Sequence, residues 1–300
     1  MTSPKAAVIA VIAVLSALAI AFMLWPSPSG ANSQLVLNAS VLDKVDIERA
    51  KGEVRRRWTS ENFSRVFEEE YYIDAAPVRN FTVRPGYYRY VTSLSPLSDG
   101  YMYSRYEFNV TQKPWGYEII QISRTYIIEG KDVIESIPAI NVWRIVNNTL
   151  YEVYAIDGED MYIFNYTVRP GSCGVFSSIL PVAPSIWPYV KEGRVIRTKY
   201  VANGTDLWRG VNTRNIVTSI FRVDKDLVDC QGPSGRCYVV EMVSDIKSNI
   251  RRGGENLEGR HRYRYVYYID LSGVVVKAEK YDPTQPGSPL MSEIKLVEWR

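Results

Sequence analysis

The chain has 300 residues, of which 46% are hydrophobic and 23% charged, a composition typical of folded globular proteins of one or two domains. Lys5 is the only charged residue before Asp43, so removing it from the net charge of +3 leaves about +2 for the rest of the chain. This near balance excludes a strongly basic nucleic-acid-binding protein.

The first feature in chain order is an apolar segment from Ala6 to Trp25. Its 20 residues include one polar residue, Ser16, and a helix of that length spans about 30 Å, the thickness of a bilayer core. Because Lys5 precedes the segment and no charge follows until Asp43, the positive-inside rule places the N-terminus in the cytoplasm. Residues 1–25 are therefore predicted to be the signal-anchor transmembrane helix of a single-pass cell-membrane protein whose C-terminal domain is extracellular.

Two other interpretations of this segment stay open. Small residues at 30–32, after the loop-like run 26–29, are compatible with cleavage of a secretory signal. The sequence Lys5-Ala6-Ala7 ahead of an apolar helix resembles the processing site of archaeal pilin-type precursors, in which the helix is retained to pack a filament core.

The 22 tyrosines and the scarcity of glutamine favour an archaeal source from a hot habitat, where proteins contain fewer thermolabile amide side chains.

Motifs for asparagine-linked glycosylation are dense. Seven of the fourteen asparagines lie in Asn-X-Ser/Thr, whereas the Ser and Thr content predicts roughly two. The seven are Asn38, Asn62, Asn80, Asn109, Asn147, Asn165 and Asn203. On the alternating stretches 101–112 and 161–169, Asn109 and Asn165 fall on the polar face, so a glycan there would point to solvent. These motifs predict an exported glycoprotein, and which of them carry glycans stays open.

The cysteines agree with an oxidising location. Cys230 and Cys237 flank a turn-forming hexapeptide between two apolar runs, which predicts a local disulfide across a hairpin. A metal site is not expected, because His261 is the single histidine of the chain. Cys173 is left over, and the sequence leaves open whether it is an inert thiol or an intermolecular bridge.

After the membrane segment, we expect a Pro/Ser linker at 26–36 and one extracellular domain at 37–300. Apolar residues recur at spacings of three and four between 41 and 70, which predicts one or two amphipathic helices. From 78 to 300 the apolar period is two, which predicts an antiparallel sheet with a Pro-rich insert at 171–190 that holds a short helix or lid. The predicted fold class is α+β, predominantly antiparallel β, with a curved sheet or incomplete barrel packed on the N-terminal helices.

Thirteen strands are predicted in this sheet. They cover Phe81–Val83, Tyr87–Leu94, Tyr101–Gln112, Tyr117–Ile128, Val142–Val146, Leu150–Ile156, Tyr162–Val168, Val195–Ala202, Asn212–Val223, Cys237–Val243, Arg260–Leu271, Val274–Tyr281 and Ile294–Trp299. Turn-forming residues at 113–116, 157–160, 203–204 and 272–273 are predicted to join neighbouring strands as antiparallel hairpins.

The predicted strand Arg260–Leu271 has the most distinctive alternation. One of its faces carries His261, Tyr263, Tyr265 and Tyr267, and the other carries Arg260, Arg262 and Arg264. The aromatic face is a candidate for contacting an apolar ligand. The alternative is a packed core with tyrosine hydroxyls at its rim, since tyrosine is common in sheets.

Short motifs resemble a known superfamily. The stretches 84–90 (RPGYYRY) and 98–101 (SDGY) resemble strand pairs of lipoprotein-carrier proteins of the LolA type. The stretches 204–211 (GTDLWRGV) and 268–274 (YIDLSGV) resemble the strand entry and following hairpin of that superfamily and its LppX-type mycobacterial lipid-binding relatives. The resemblance implies an incomplete antiparallel barrel around helices with an apolar cavity for a lipid. The chain departs from this pattern in its length, its Pro-rich insert, its anchor helix and the lack of a lipobox cysteine.

No residues of the sequence assemble a recognisable active site. The chain's single histidine excludes most His-based triads, and the chain contains neither a nucleophile elbow nor a Gly-rich phosphate loop. Ser-Lys and carboxylate-pair chemistry stay open. We therefore expect a non-catalytic, membrane-anchored extracellular glycoprotein, without a cofactor, that binds an apolar or lipid-like ligand in a sheet concavity. The alternative is a structural surface component, either a pilus-like subunit or an envelope-associated protein, with surface-protein partners or self-association.

Overall fold

The structure is a computed structural model that describes residues 65–136, 138–157, 160–170, 185–206, 211–252, 254–284 and 288–300. The predicted membrane segment 1–25, the linker 26–36 and residues 41–64 of the predicted helical region lie outside the described residues, as do Asn38, Asn62 and Cys173. Within the described ranges, no helix is both long and apolar enough to cross a membrane.

Over the described residues, sixteen strands form one sheet in which every pairing is antiparallel. They are β1 (Arg65–Ile73), β2 (Gly86–Thr92), β3 (Ser95–Leu97), β4 (Gly100–Lys113), β5 (Gly116–Glu129), β6 (Asp132–Glu135), β7 (Ala139–Val146), β8 (Thr149–Asp157), β9 (Asp160–Val168), β10 (Val195–Asp206), β11 (Val211–Val223), β12 (Val228–Asp229), β13 (Arg236–Arg252), β14 (Glu255–Asp270), β15 (Val275–Tyr281) and β16 (Leu290–Trp299). The predicted antiparallel sheet is confirmed.

The sheet is long, curved and open. Its hydrogen-bonded path runs β1-β10-β11-β13-β14-β15-β16-β2-β4-β5-β7-β8-β9, with β12 beside β13, β3 beside β4 and β6 beside β5. The path begins at β1 and ends at β9, and side chains bring these two edges together. The Tyr71 hydroxyl donates a hydrogen bond to the Pro170 carbonyl oxygen at 3.0 Å, and the Arg169 guanidinium lies 5.1 Å from the Tyr71 ring.

Three of the four predicted hairpins are present: β4 to β5 through 114–115, β8 to β9 across Asp157 and Asp160, and β14 to β15 through 271–274. At the first, Gly116 has φ +143°, and a Cβ there would lie 2.0 Å from the Ile145 carbonyl oxygen, so only glycine fits. The turn predicted at 203–204 is wrong. Residues Asn203 and Gly204 lie inside β10 and are paired on both sides, with β1 and with β11, and this pairing overrides their turn preference.

One end of the curved sheet is covered, and we call it the capped end. It is formed by the end of β1 and the start of β10, and residues 74–85 and 185–190 lie across it. The Arg79 side chain donates to the Val190 carbonyl oxygen at 2.7 Å, and its guanidinium lies 4.2 Å from the Trp187 ring. Trp187 belongs to a short 3₁₀ helix, Trp187–Tyr189, inside the predicted insert. The opposite, open end holds the start of β1 and the tip of the β13–β14 hairpin.

The hydrophobic core lies on the concave face near the capped end. One cluster is built around Tyr88, Tyr90 and Phe108, and a second around Phe221, Met242 and Tyr267. Ile294 packs against both clusters, so the core is continuous across β16. Period-two alternation explains the burial, because on β4 Tyr106, Phe108 and Val110 are buried while Asn109 between them is exposed.

Two further sequence predictions are wrong over the described residues. Residues 65–70 were predicted as the end of a helix but belong to β1, because the edge of β10 offers a hydrogen-bonding partner along the whole segment. The remaining described residues contain no α-helix. The segment 81–83 is not a strand, although Phe81 and Val83 are buried. It crosses the capped end, where the Phe81 backbone N–H donates to the Asn148 side chain at 3.0 Å.

Candidate functional site

The four residues predicted to face a ligand form one aromatic ladder on the concave face. The His261 and Tyr263 rings are 6.4 Å apart and nearly parallel, Tyr263 and Tyr265 are 6.3 Å apart, and Tyr265 and Tyr267 are 6.0 Å apart and nearly parallel. The ladder runs along β14 from the core toward the open end, because successive residues on one face of a strand lie side by side.

Burial divides this ladder into two halves. Tyr265 and Tyr267 are 3% and 0% exposed and belong to the second core cluster. His261 and Tyr263 are only partly buried. The structure therefore places the Tyr265 and Tyr267 rings in the packed core and leaves the upper half, nearer the open end, more accessible. Tyr265 is the residue at the boundary between the two halves.

The convex side of β14 carries the arginines that alternate with the ladder. The guanidinium of Arg264 lies 2.7 Å from a Glu241 carboxylate oxygen, and those of Arg260 and Arg262 pair with Asp245. Hydrogen bonds from Arg260 lower the pKa of Asp245. These cross-strand ion pairs are solvated, which confirms the predicted division of the strand into two faces.

Two rows of residues cross the concave face beside the ladder. The row level with Tyr263 is polar and consists of Thr198, Ser219 and Ser244, which are direct neighbours on adjacent strands. The next row toward the open end consists of Tyr71, Tyr200, Val217 and Ile246 and ends at His261. The concave face beside the upper ladder thus carries both hydroxyl groups and apolar side chains.

Hydroxyl groups also lie on the concave face of β2, β4 and β5. The Ser104 backbone N–H donates to the Thr92 hydroxyl at 2.8 Å, and the Ser104 and Thr125 hydroxyls are 3.1 Å apart. On β11 and β13, the Ser219 and Ser244 hydroxyls are 2.6 Å apart and fully buried. The interior is therefore amphipathic rather than purely apolar.

The Tyr265 hydroxyl and the Thr198 Oγ1, on the same concave face as the ladder, have no hydrogen-bond partner among the described residues. Their side chains are 3% and 2% exposed. Burial raises the pKa of Tyr265, so its hydroxyl remains a neutral donor. An unsatisfied buried hydroxyl costs about 1 to 3 kcal/mol, and most such groups in native proteins have a partner.

The motifs that resemble lipoprotein carriers hold turns and strand ends in place. Asp270, fully buried at the end of β14, accepts hydrogen bonds from the backbone N–H groups of Ser234 and Ser272, both at 2.8 Å. In the earlier motif, the Tyr90 hydroxyl donates to the Val275 carbonyl oxygen at 2.7 Å. These residues position β2 and β14 and do not themselves line the upper ladder.

The predicted disulfide is present between Cys230 and Cys237, whose Cα atoms are 5.8 Å apart. It closes the β12–β13 hairpin at the capped end.

Four glycosylation motifs have asparagine side chains that the structure describes, and all four are exposed: Asn80, Asn109, Asn147 and Asn203. Asn165 lies in β9.

Sequence reasoning found the ladder but missed the rows beside it. Tyr200, Ser219 and Ser244 each lie in alternating stretches, so their faces are readable locally. Their alignment with Tyr263 and His261 depends on the pairing of β10, β11, β13 and β14, which no local signal specifies.

We expect Tyr265→Phe to raise the free energy of unfolding of the ligand-free protein by about 1 kcal/mol, because it removes a buried hydroxyl that has no partner. Tyr90→Phe is the matched control and should lower it by about 1 kcal/mol, because that hydroxyl is bonded to Val275. Urea unfolding followed by circular dichroism measures both. Equal destabilisation by the two variants would show that Tyr265 has a partner in the folded chain.

No family model and no curated protein matches the sequence. Three solved structures show a distant structural likeness to this chain. A protein from Bacteroides fragilis assigned as exported, with a YmcC-like fold, has 12% identity and a TM-score of 0.33 over 74% of this chain and 98% of its own. A protein from Parabacteroides distasonis assigned as a lipoprotein has 11% identity and a TM-score of 0.34 over 76% and 100%. A β-barrel-like protein of a domain of unknown function from Brucella abortus has 9% identity and a TM-score of 0.31 over 73% and 98%. Likeness at this level is too distant to transfer a function.

Proposed function

We propose that this chain is a non-catalytic, membrane-anchored extracellular glycoprotein that binds an apolar or lipid-like ligand on the concave face of its sheet. The observation that carries the proposal is the aromatic ladder, which continues out of the core to the partly buried His261 and Tyr263. Stacked rings present a broad apolar surface at low entropic cost, because each side chain has few rotatable bonds.

The rows beside the ladder support an amphiphilic ligand. Tyr200, Val217 and Ile246 form the apolar row level with His261, and Ile246 is the partly exposed member of the three. The buried hydroxyls of Ser219 and Ser244 lie level with Tyr263. The chain's single histidine lies at the end of the apolar row and stacks on Tyr263. This position gives it a packing role, so we assign it no catalytic one.

The extracellular location rests on three independent features. They are the apolar segment 6–25, the exposed glycosylation motifs and the disulfide, which is stable in an oxidising compartment. The start of β1 lies at the open end, toward which the upper half of the ladder also runs.

To test binding, the full chain is purified in mild detergent and examined by native mass spectrometry for a bound apolar ligand. We expect such a ligand with the wild-type chain, and we expect His261→Ser/Tyr263→Ser to reduce its occupancy about tenfold, since loss of two ring contacts removes on the order of 1.4 kcal/mol or more. Tyr101→Ser is the control, because Tyr101 is exposed on the convex face. Equal occupancy in all three proteins would contradict a site on the ladder.

To test location and glycosylation, the membrane and soluble fractions of the chain's own cells are separated, and the intact mass of the chain is measured in the fraction that contains it. We expect a mass above that of the polypeptide, and Asn109→Gln should remove one glycan because Asn109 is exposed in an Asn-X-Thr motif. Asn212→Gln, at an exposed asparagine outside any motif, should leave the glycan mass unchanged. A chain with the bare polypeptide mass, recovered from the soluble fraction, would rule out the glycosylated anchored form.

A second candidate function is a structural surface component, favoured by the edge strand β6. Val133 and Ile134 on this strand are 61% and 51% exposed, and β6 pairs on one side with β5. Tyr101 on β4 is also exposed and lies in the same cross-strand row as Ile128 and Val133. An exposed apolar edge of this kind is suited to pairing with another chain.

For this candidate, we expect Val133→Lys to reduce self-association of the chain in detergent, because a charge on an edge strand opposes strand addition. Val195→Lys is the matched control, since Val195 is exposed at the capped end, away from β6. Sedimentation velocity measures the oligomeric state. A wild-type chain that is monomeric at every concentration would exclude self-association.

A further inference from the structure

Lys280 is a cation on the concave face of the sheet. On β15 it lies directly opposite Tyr265 of β14 and Ser292 of β16. The next pair on the same face joins Tyr267 to Ala278, and both of these residues belong to the core. Because directly opposed residues of an antiparallel pair share a face, Lys280 points to the same side as the aromatic ladder.

The Lys280 ammonium has no carboxylate within ion-pair distance among the described residues. Its nitrogen lies 4.9 Å from the Tyr263 ring, and partial burial lowers its pKa despite the attraction of Asp282. The neighbouring lysines differ. Lys277 lies 2.7 Å from Glu279, and Lys295 lies 2.7 Å from Glu293.

The residue opposite Lys280 carries an unmet donor. The Tyr265 hydroxyl is buried and has no hydrogen-bond partner among the described residues. An ammonium group and a phenol, on adjacent strands and on one face, are both donors, and the described residues place no anionic or carbonyl acceptor within bonding distance of either. A buried donor without a partner among these residues marks a position where an acceptor group can bind.

We propose that Lys280 and Tyr265 bind the anionic head group, a carboxylate or a phosphate, of the amphiphile whose apolar chain lies against Tyr263, His261 and the apolar row. This inference rests on the proposed ligand-binding function and gives that ligand a charge. A charge-assisted hydrogen bond from Lys280 and a second bond from the Tyr265 hydroxyl satisfy both donors at once. An uncharged ligand cannot form the charge-assisted bond with the ammonium.

The test compares laurate with dodecanol, two amphiphiles whose alkyl chains have equal length. Binding of each is measured by isothermal titration calorimetry on the delipidated full-length protein. We expect Lys280→Met to weaken laurate binding roughly tenfold or more, because a hydrogen bond to a charged group is lost, and to change dodecanol binding less than about twofold. Lys280→Arg, which keeps the charge, should retain most of the laurate affinity. Dodecyl phosphate in place of laurate shows which head group is preferred.

Lys295→Met is the matched control. It makes the same change of charge on the neighbouring strand at an exposed position, so it should leave laurate binding unchanged. Equal losses in the two methionine variants would reduce the effect to long-range charge and overturn the assignment. A loss of both amphiphiles in Lys280→Met, or of neither, would also overturn it while leaving the proposed binding function intact. If the wild-type chain binds none of the three amphiphiles, the proposed function itself fails.

Discussion

The concave face of a strongly curved sheet can exclude water only when at least one end of the sheet is covered. The rest of this structure depends on the contacts that hold the covering segments in place. Arg79 supplies the central interaction, since its guanidinium bonds to Val190 and lies over Trp187. The indole in turn occupies space that a side chain at Gly273 would fill, because a Cβ there would lie 2.8 Å from it. Three distant segments of the chain thus close the capped end and create the core behind it.

The cover also decides which part of the concave face is packed and which part is left more accessible. Near the capped end the concave face is packed with aromatic and aliphatic residues, and further away it carries hydroxyl groups, a partly buried lysine and the upper half of the ladder. Unsatisfied polar groups destabilise a fold and persist where function requires them. Tyr265 and Lys280 lie where the packed and the polar regions meet, which is why they define the proposed polar end of the site.

Predictions from sequence succeeded where a strand has one apolar and one polar face. They stopped short on β13, which was expected to end at Val243 and continues to Arg252. In the missed part the concave positions include Ser244 and Ser248, so the apolar alternation disappears although both side chains are buried. The same polar interior that hid the strand belongs to the candidate site, so the segment that was hardest to predict from sequence lies in that site.

The sequence by itself determined the local features: most strands, three hairpins, the disulfide and the two faces of β14. These depend on side-chain alternation and turn chemistry within a few residues. Only the tertiary structure decided that β16 pairs with β2, that β1 is a strand, and that Lys280 stands opposite Tyr265. A bulge between Tyr268 and Ile269 shifts the register of that last pairing, so local alternation cannot specify it. Neighbours across a sheet are set by long-range hydrogen bonds and by curvature, and neither is encoded in a short window of sequence.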